Sequence, residues 1–146
     1  MDMTWTISHI PEGNIIHNET TGDMTVPTVN QMAKEAKEAG ELHRSKSLLF
    51  DHRKLSSALD ILRMYDRPKE LSNMSFPQTS QISIVTPVSL LKQFTFYEDV
   101  MFNRGYMVRV FTDFNLAKEW LSRDSTRYTY RNVITDIDSA RQWLTP

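Results

Sequence analysis

The sequence predicts an α/β domain: a mixed β-sheet opened by an antiparallel N-terminal hairpin, with helices packed mainly on one side. Two observations lead there. The chain begins with a pair of β-like runs joined by turn residues, and it then alternates short apolar runs with amphipathic helical stretches. Strands joined through a helix run parallel, so the alternation implies crossovers, whereas the opening pair is antiparallel. The length of 146 residues is that of one domain, because domains usually hold about 100–200 residues.

Residues 3–10 (MTWTISHI) set Trp5 and Ile7 on one face, Pro11-Glu12-Gly13 supplies turn chemistry, and residues 14–21 (NIIHNETT) return as the second strand. Gly22-Asp23 is expected to end that strand. Thr25 suits a helix N-cap, with Pro27 in the first turn, where its missing N–H costs nothing. The helix lines up Val29, Met32, Ala33 and Ala36, and Gly40 suits its end. Residues 47–51 (SLLFD) form an apolar strand ending in a carboxylate. A helix is expected from about Ser56 or Ser57, carrying Leu59, Leu62 and Tyr65, with Pro68 interrupting it. Residues 81–86 (QISIVT) form a strand closed by Pro87, residues 88–104 a helix capped by Gly105, and residues 106–111 (YMVRVF) a strand. Asp113 then caps a helix over 114–121.

The chain ends on an echo. Residues 133–144 (VITDIDSARQWL) repeat the Val, Thr, Asp, Ala, Trp and Leu of residues 110–121 (VFTDFNLAKEWL). One β–α unit cannot bury its own apolar face, so a C-terminal β–α extension over 125–146 is expected to pack on the domain formed by 1–124.

Composition removes several function classes. There is no cysteine, which excludes disulfide scaffolds, thiol catalysis and Cys-type metal sites. Lys and Arg number 17 against 18 Asp and Glu, a net charge of -1, so nothing draws the chain to nucleic acid electrostatically. A hydrophobic content of 40% is enough for a core and well above that of disordered chains. No apolar run is long enough to span a membrane, and residues 1–10 lack the basic-then-apolar layout of a signal peptide. A cytoplasmic location is expected.

The search for chemistry finds little. His9, His17, His43 and His52 form no pair at ligand spacing along the chain; His9 and His17 are placed to face each other across the hairpin, but without a carboxylate or third histidine they make a poor metal site. No metal site and no cofactor are expected. Gly13, Gly22, Gly40 and Gly105 assemble no phosphate loop, dinucleotide fingerprint or nucleophile elbow. Asp51-His52-Arg53 follows a buried strand, the position where α/β folds gather functional groups. Neighbours on an extended segment face opposite ways, however, so Asp51 and His52 cannot work as one acid–base unit, and Arg53 is expected to pair with a carboxylate. Ser56 or Ser57 at a helix N-terminus would suit either capping or phosphorylation, since the helix dipole favours added negative charge. In the 88–104 helix, Leu90, Phe94, Tyr97 and Met101 form the core stripe and Phe96 lies off it, to be covered by protein or ligand.

Several pieces together carry a resemblance: Thr21-Gly22-Asp23, LLFDHRKL over 48–55, QISIVT, FYEDVMFNRGYMVRVF over 96–111, and TDFNLAKEWL over 112–121. This pattern resembles the SpoIIAA-like branch of the STAS superfamily, the domain shared by sulfate transporters and anti-sigma-factor antagonists. It covers residues 3–121; the block 125–146 is not part of it. The resemblance implies a mixed sheet with helices on one side, a covering helix opposite, and a bacterial, non-enzymatic module that docks a partner protein of regulatory or kinase type. Phosphorylated antagonists are switched at a serine opening the helix after the central strand, which by position is Ser56 or Ser57 here. The contact surface is then Asp51, Arg53, Leu55 and Leu59. In the antagonists' Asp-Ser-Ser-Gly-Leu-Gly run this chain reads Lys54-Leu55-Ser56-Ser57-Ala58-Leu59. The branch shares its fold name with lipid-binding domains. The alternative reading is therefore a carrier of a small hydrophobic or amphipathic ligand between the 88–104 helix and the sheet. Phe94, Phe96, Tyr97, Met101 and Phe102 would line that site, and Arg53 or Arg104 would meet an anionic head group. The over-apolar helix and the extra unit also leave room for a homodimer.

Overall fold

A computed structural model describes residues 1–122; the extension expected over 125–146 lies outside the described residues. The elements run β1 (Thr4–Ile10), β2 (Ile15–Asp23), α1 (Val26–His43), β3 (Ser47–Ser57), α2 (Ile61–Asn73), β4 (Gln81–Val85), a 3₁₀ turn (Val88–Leu90), α3 (Leu91–Asn103), β5 (Met107–Phe111) and α4 (Phe114–Leu121). The five strands form one sheet in the order β1-β2-β3-β4-β5. β1 pairs antiparallel with β2, and the other three pairs are parallel.

This order decides where the helices go. The three crossovers all step the same way across the sheet, and right-handed connections then put α1, α2 and α3 on one face. α4 follows the last strand and turns back under the other face, packing on β3, β4 and β5. A parallel sheet covered on both sides needs buried residues at consecutive positions, which accounts for the apolar run Leu48-Leu49-Phe50 in β3 and for the burial of Ser83 and Arg109 between the apolar residues of β4 and β5. Leu48, Phe50, Ile82, Ile84, Val108 and Val110 join the three-helix core, while Leu49, Val85 and Phe111 meet Ala117, Trp120 and Leu121 of α4. β1 instead alternates, with Thr4, Thr6 and Ser8 exposed and Trp5 and Ile7 packed on the three-helix core.

Four expectations are corrected. β2 does not stop at Gly22 but continues to Asp23, because the Asp23 backbone bonds to Met1 and Met3. Gly22 bends there with φ 95°, and a Cβ would stand 3.0 Å from the Asp2 carbonyl oxygen. α1 runs past Gly40 to His43, and Arg44 takes the left-handed cap position with φ 51°. Gly40 stays glycine for space: a Cβ would come within 3.1 Å of the Ser45 carbonyl, where the chain folds back.

The third correction bears most on function. No helix begins at Ser56 or Ser57; both belong to β3. The strand continues because Lys54, Leu55 and Ser57 pair with Thr21, Gly22 and Asp23, with two irregularities absorbing the extra residues of β3. α2 starts at Ile61, capped by the Asp60 carboxylate, which accepts the Arg63 N–H at 2.9 Å. Its buried face is Met64, Arg67, Pro68 and Leu71, so Leu62 and Tyr65 point outward. Leu59 is buried, but in the linker, and its phase does not carry into the helix. Pro68 does not interrupt α2; it removes one N–H from a helix held by its packing. Fourth, His9 and His17 do not face one another, since the register pairs His9 with Ile16 and His17 with Ser8.

Candidate functional site

The C-terminal half of β3 places three successive side chains on two faces. Asp51 and Arg53 share the α4 side. Asp51 is buried and accepts Arg53 Nε at 2.9 Å, Nη2 at 2.7 Å and the Arg53 backbone N–H at 3.2 Å. Burial pushes the Asp51 carboxyl up, but these charge-assisted bonds outweigh it and hold the group below the ordinary carboxylate range. The guanidinium lies over the Phe114 ring, 5.3 Å from its centroid, and so ties β3 to the start of α4. The expected carboxylate partner of Arg53 is therefore Asp51 itself, two residues away on the same face.

His52 points the other way, into the three-helix core. Its Nδ1 lies 2.7 Å from Thr20 Oγ1, and its ring stacks on Phe94 with centroids 5.2 Å apart. The Thr20 hydroxyl also donates to the Asp51 carbonyl at 3.2 Å. One hydroxyl has one proton, so both bonds are made when His52 Nδ1–H is the donor to Thr20. Burial lowers the imidazole pKa to about 4, against a small opposing pull from the Asp51 charge. The ring is neutral at ordinary pH. Asp51 and His52 thus face opposite sides of the sheet and share no proton path.

Of the expected phosphorylation positions, Ser56 is exposed, whereas the half-buried Ser57 donates its hydroxyl to Asp23 Oδ1 at 2.8 Å. Of the expected partner-binding positions, Arg53 is accessible, Asp51 is buried beneath it, and Leu55 and Leu59 lie in the core.

The expected ligand lining is not gathered in one place. Phe94 and Tyr97 face a cavity between α1, α2 and the sheet, with Met24, Met32, Met64 and His52 among its walls. Met101 is wholly buried, Phe96 packs against the core from its margin, and Arg104 is exposed beside the Tyr65 ring. The cavity measures about 50 Å³, against roughly 300–1,000 Å³ for sites that take drug-sized ligands. Arg67 closes its edge, a buried cation that the sequence reading missed. It donates to Asn30 Oδ1 and to Glu70 Oε2, and it faces Tyr97, whose hydroxyl pKa is raised by burial. Glu70 lies three residues after Arg67 on one helix, a spacing that could have signalled the pair.

α2 also leaves large apolar side chains in solvent. Ile61, Leu62 and Tyr65 are 55%, 77% and 56% exposed, one apolar strip at the helix start. Val88, 74% exposed, stands just after β4. Both features are at the C-terminal end of the sheet, the end that also carries Arg53 and Ser56. Among the described residues no group of three His, Cys, Asp or Glu could hold a metal ion, and no helix is long and apolar enough to cross a membrane.

No protein-family model matches this chain, and no curated protein matches it in sequence. Solved structures do match in shape. An anti-sigma factor antagonist from Mycobacterium paratuberculosis superposes with a TM-score of 0.56 at 8% identity, covering 83% of this chain and 95% of that one. An uncharacterised protein with a SpoIIAA-like fold from Shewanella loihica gives 0.53 at 16% identity, covering 82% and 94%. The chain has the SpoIIAA-like STAS fold.

Proposed function

We propose that this chain is a non-enzymatic, regulatory docking module that binds a partner protein at the C-terminal end of its sheet. The observation that carries this reading is the strip of Ile61, Leu62 and Tyr65, three large apolar side chains left in solvent while the same helix buries an arginine. Exposed apolar clusters rimmed by polar groups mark interaction sites. Arg53 and the exposed Ser56 lie near the end of β3, the strand that leads into α2. The shared fold with a protein described as an anti-sigma factor antagonist supports a regulatory role, and we place that role in the cytoplasm.

A serine switch, if the partner uses one, belongs at Ser56. A phosphate on Ser57 would replace a hydroxyl that donates to Asp23 and would face that carboxylate as a like charge. Ser56 is open to a kinase and stands two residues from the exposed cation Lys54.

Affinity isolation of the tagged chain from its own organism, in parallel with Leu62→Asp, identifies the partner, whose binding is then measured with purified components. The expected result is at least a tenfold loss of affinity in Leu62→Asp, with unchanged thermal stability. Equal affinity of the two forms for every recovered protein overturns the reading.

A further inference from the structure

The two edges of the sheet are finished differently. At β5 the chain closes its own edge: the Val110 N–H donates to the buried carboxylate of Glu98 on α3 at 2.7 Å, and the strand is only five residues long. Among the described residues nothing of the kind is done at β1. This edge strand has seven residues, TWTISHI, without proline, glycine or any charged side chain, and its pairing with β2 is regular throughout. Natural edges are usually blunted by such residues, by bulges or by a cover. No strand pairs with the outer side of β1 among the described residues.

We propose that β1 is a self-association edge, pairing antiparallel with β1 of a second copy about a two-fold axis through Ile7. The sequence of the strand suits itself as partner. Centring the pair on Ile7 keeps all seven residues matched and keeps each side chain on its own face of the sheet. Ile7 then meets Ile7, Thr6 meets Ser8, Trp5 meets His9 and Thr4 meets Ile10. Every cross-strand pair is β-branched, aromatic or hydroxyl-bearing, and no like charges meet, which is the composition that stabilises neighbouring strands. Trp5 and Ile7 are half-buried on the three-helix side, so the pairing removes apolar surface from water there while Thr4, Thr6 and Ser8 continue the open hydroxyl-rich face opposite. Because the contact is isologous, it stops at two copies, giving a continuous ten-stranded sheet.

Charge swapping on the full-length chain tests the register as well as the association. Thr6 and Ser8 are exposed in the single chain and face each other across the axis. Sedimentation velocity of the wild type is expected to give twice 17.1 kDa. Thr6→Lys/Ser8→Lys and Thr6→Glu/Ser8→Glu should each be monomers, and an equimolar mixture of the two should recover the dimer. A wild type that is monomeric at all concentrations overturns the proposal, as does a dimer that survives in both charged variants. A second measurement needs no variant: alternate β1 amides of the wild type should exchange more slowly as concentration rises. Concentration-independent protection of those amides would mean that the chain's own segment beyond residue 122 pairs there, and would equally overturn it.

Discussion

Among the described residues His52 carries the clearest pH dependence. Its pKa is near 4 in the folded state and about 6.5 unfolded. The unfolded chain therefore binds the extra proton first. The corresponding stability is complete above pH ~6.5 and is lost as pH falls towards 4, by up to about 3 kcal/mol from this group. His52→Leu keeps the Thr20 hydroxyl satisfied by the Asp51 carbonyl, so urea titrations should show a shallower decline in stability between those pH values than the wild type does. An identical slope would place the acid lability elsewhere. Arg53 acts through a different route. Arg53→Met removes both guanidinium bonds from a carboxylate that is 4% exposed, and a buried charge without its partner costs roughly 2–4 kcal/mol. Chemical denaturation checks this, and restoring stability with Asp51→Asn in the Arg53→Met background would confirm that the stranded charge is the cause. The two serines separate by the same reasoning: Ser57→Asp, set against Asp23, should destabilise by about 1–2 kcal/mol, and the exposed Ser56→Asp by less than about 0.5 kcal/mol.

At the level of elements, α2 shows how a correct pattern can be read in the wrong phase. Leu59, Leu62 and Tyr65 do recur at helical spacing in the sequence, and a core stripe follows if the helix begins near Ser57. Local chemistry starts it at Ile61, because Asp60 caps it, and tertiary pairing of β3 with the end of β2 claims the serines. The face then rotates to Met64 and Leu71, and the apparent core residues become the exposed strip. Two substitutions distinguish the faces. Met64→Ala, at a site 1% exposed, should cost about 2–5 kcal/mol, while Leu62→Ala should change stability by less than about 0.5 kcal/mol. A large loss in Leu62→Ala would restore the earlier phase and remove the docking strip. The starts of α1 and α4 were legible from their caps: Thr25 and Asp113 accept the Thr28 and Leu116 N–H groups.

For the whole molecule, sheet order controls both cover and exposure. β3 is central, has helices on both sides and carries the fully buried Leu49. Native-state hydrogen exchange should find the slowest amides in β3 and β4 and much faster ones in β1 where it is unpaired. α4 roofs the second core through Trp120, and Trp120→Ala is expected to lose about 3–5 kcal/mol while leaving the three-helix face intact. The strand-and-helix alternation and the turn and capping residues were sufficient for the fold class, because they report on hydrogen bonds made within a few residues. What the sequence could not show lies between distant segments: the extension of β3 along β2, the rotation of α2, the buried Arg67 bridging to Asn30, and the contrast between an edge closed by Glu98 and one that no strand pairs with among the described residues. Each depends on which residue the fold brings alongside, and one-dimensional spacing holds no record of that.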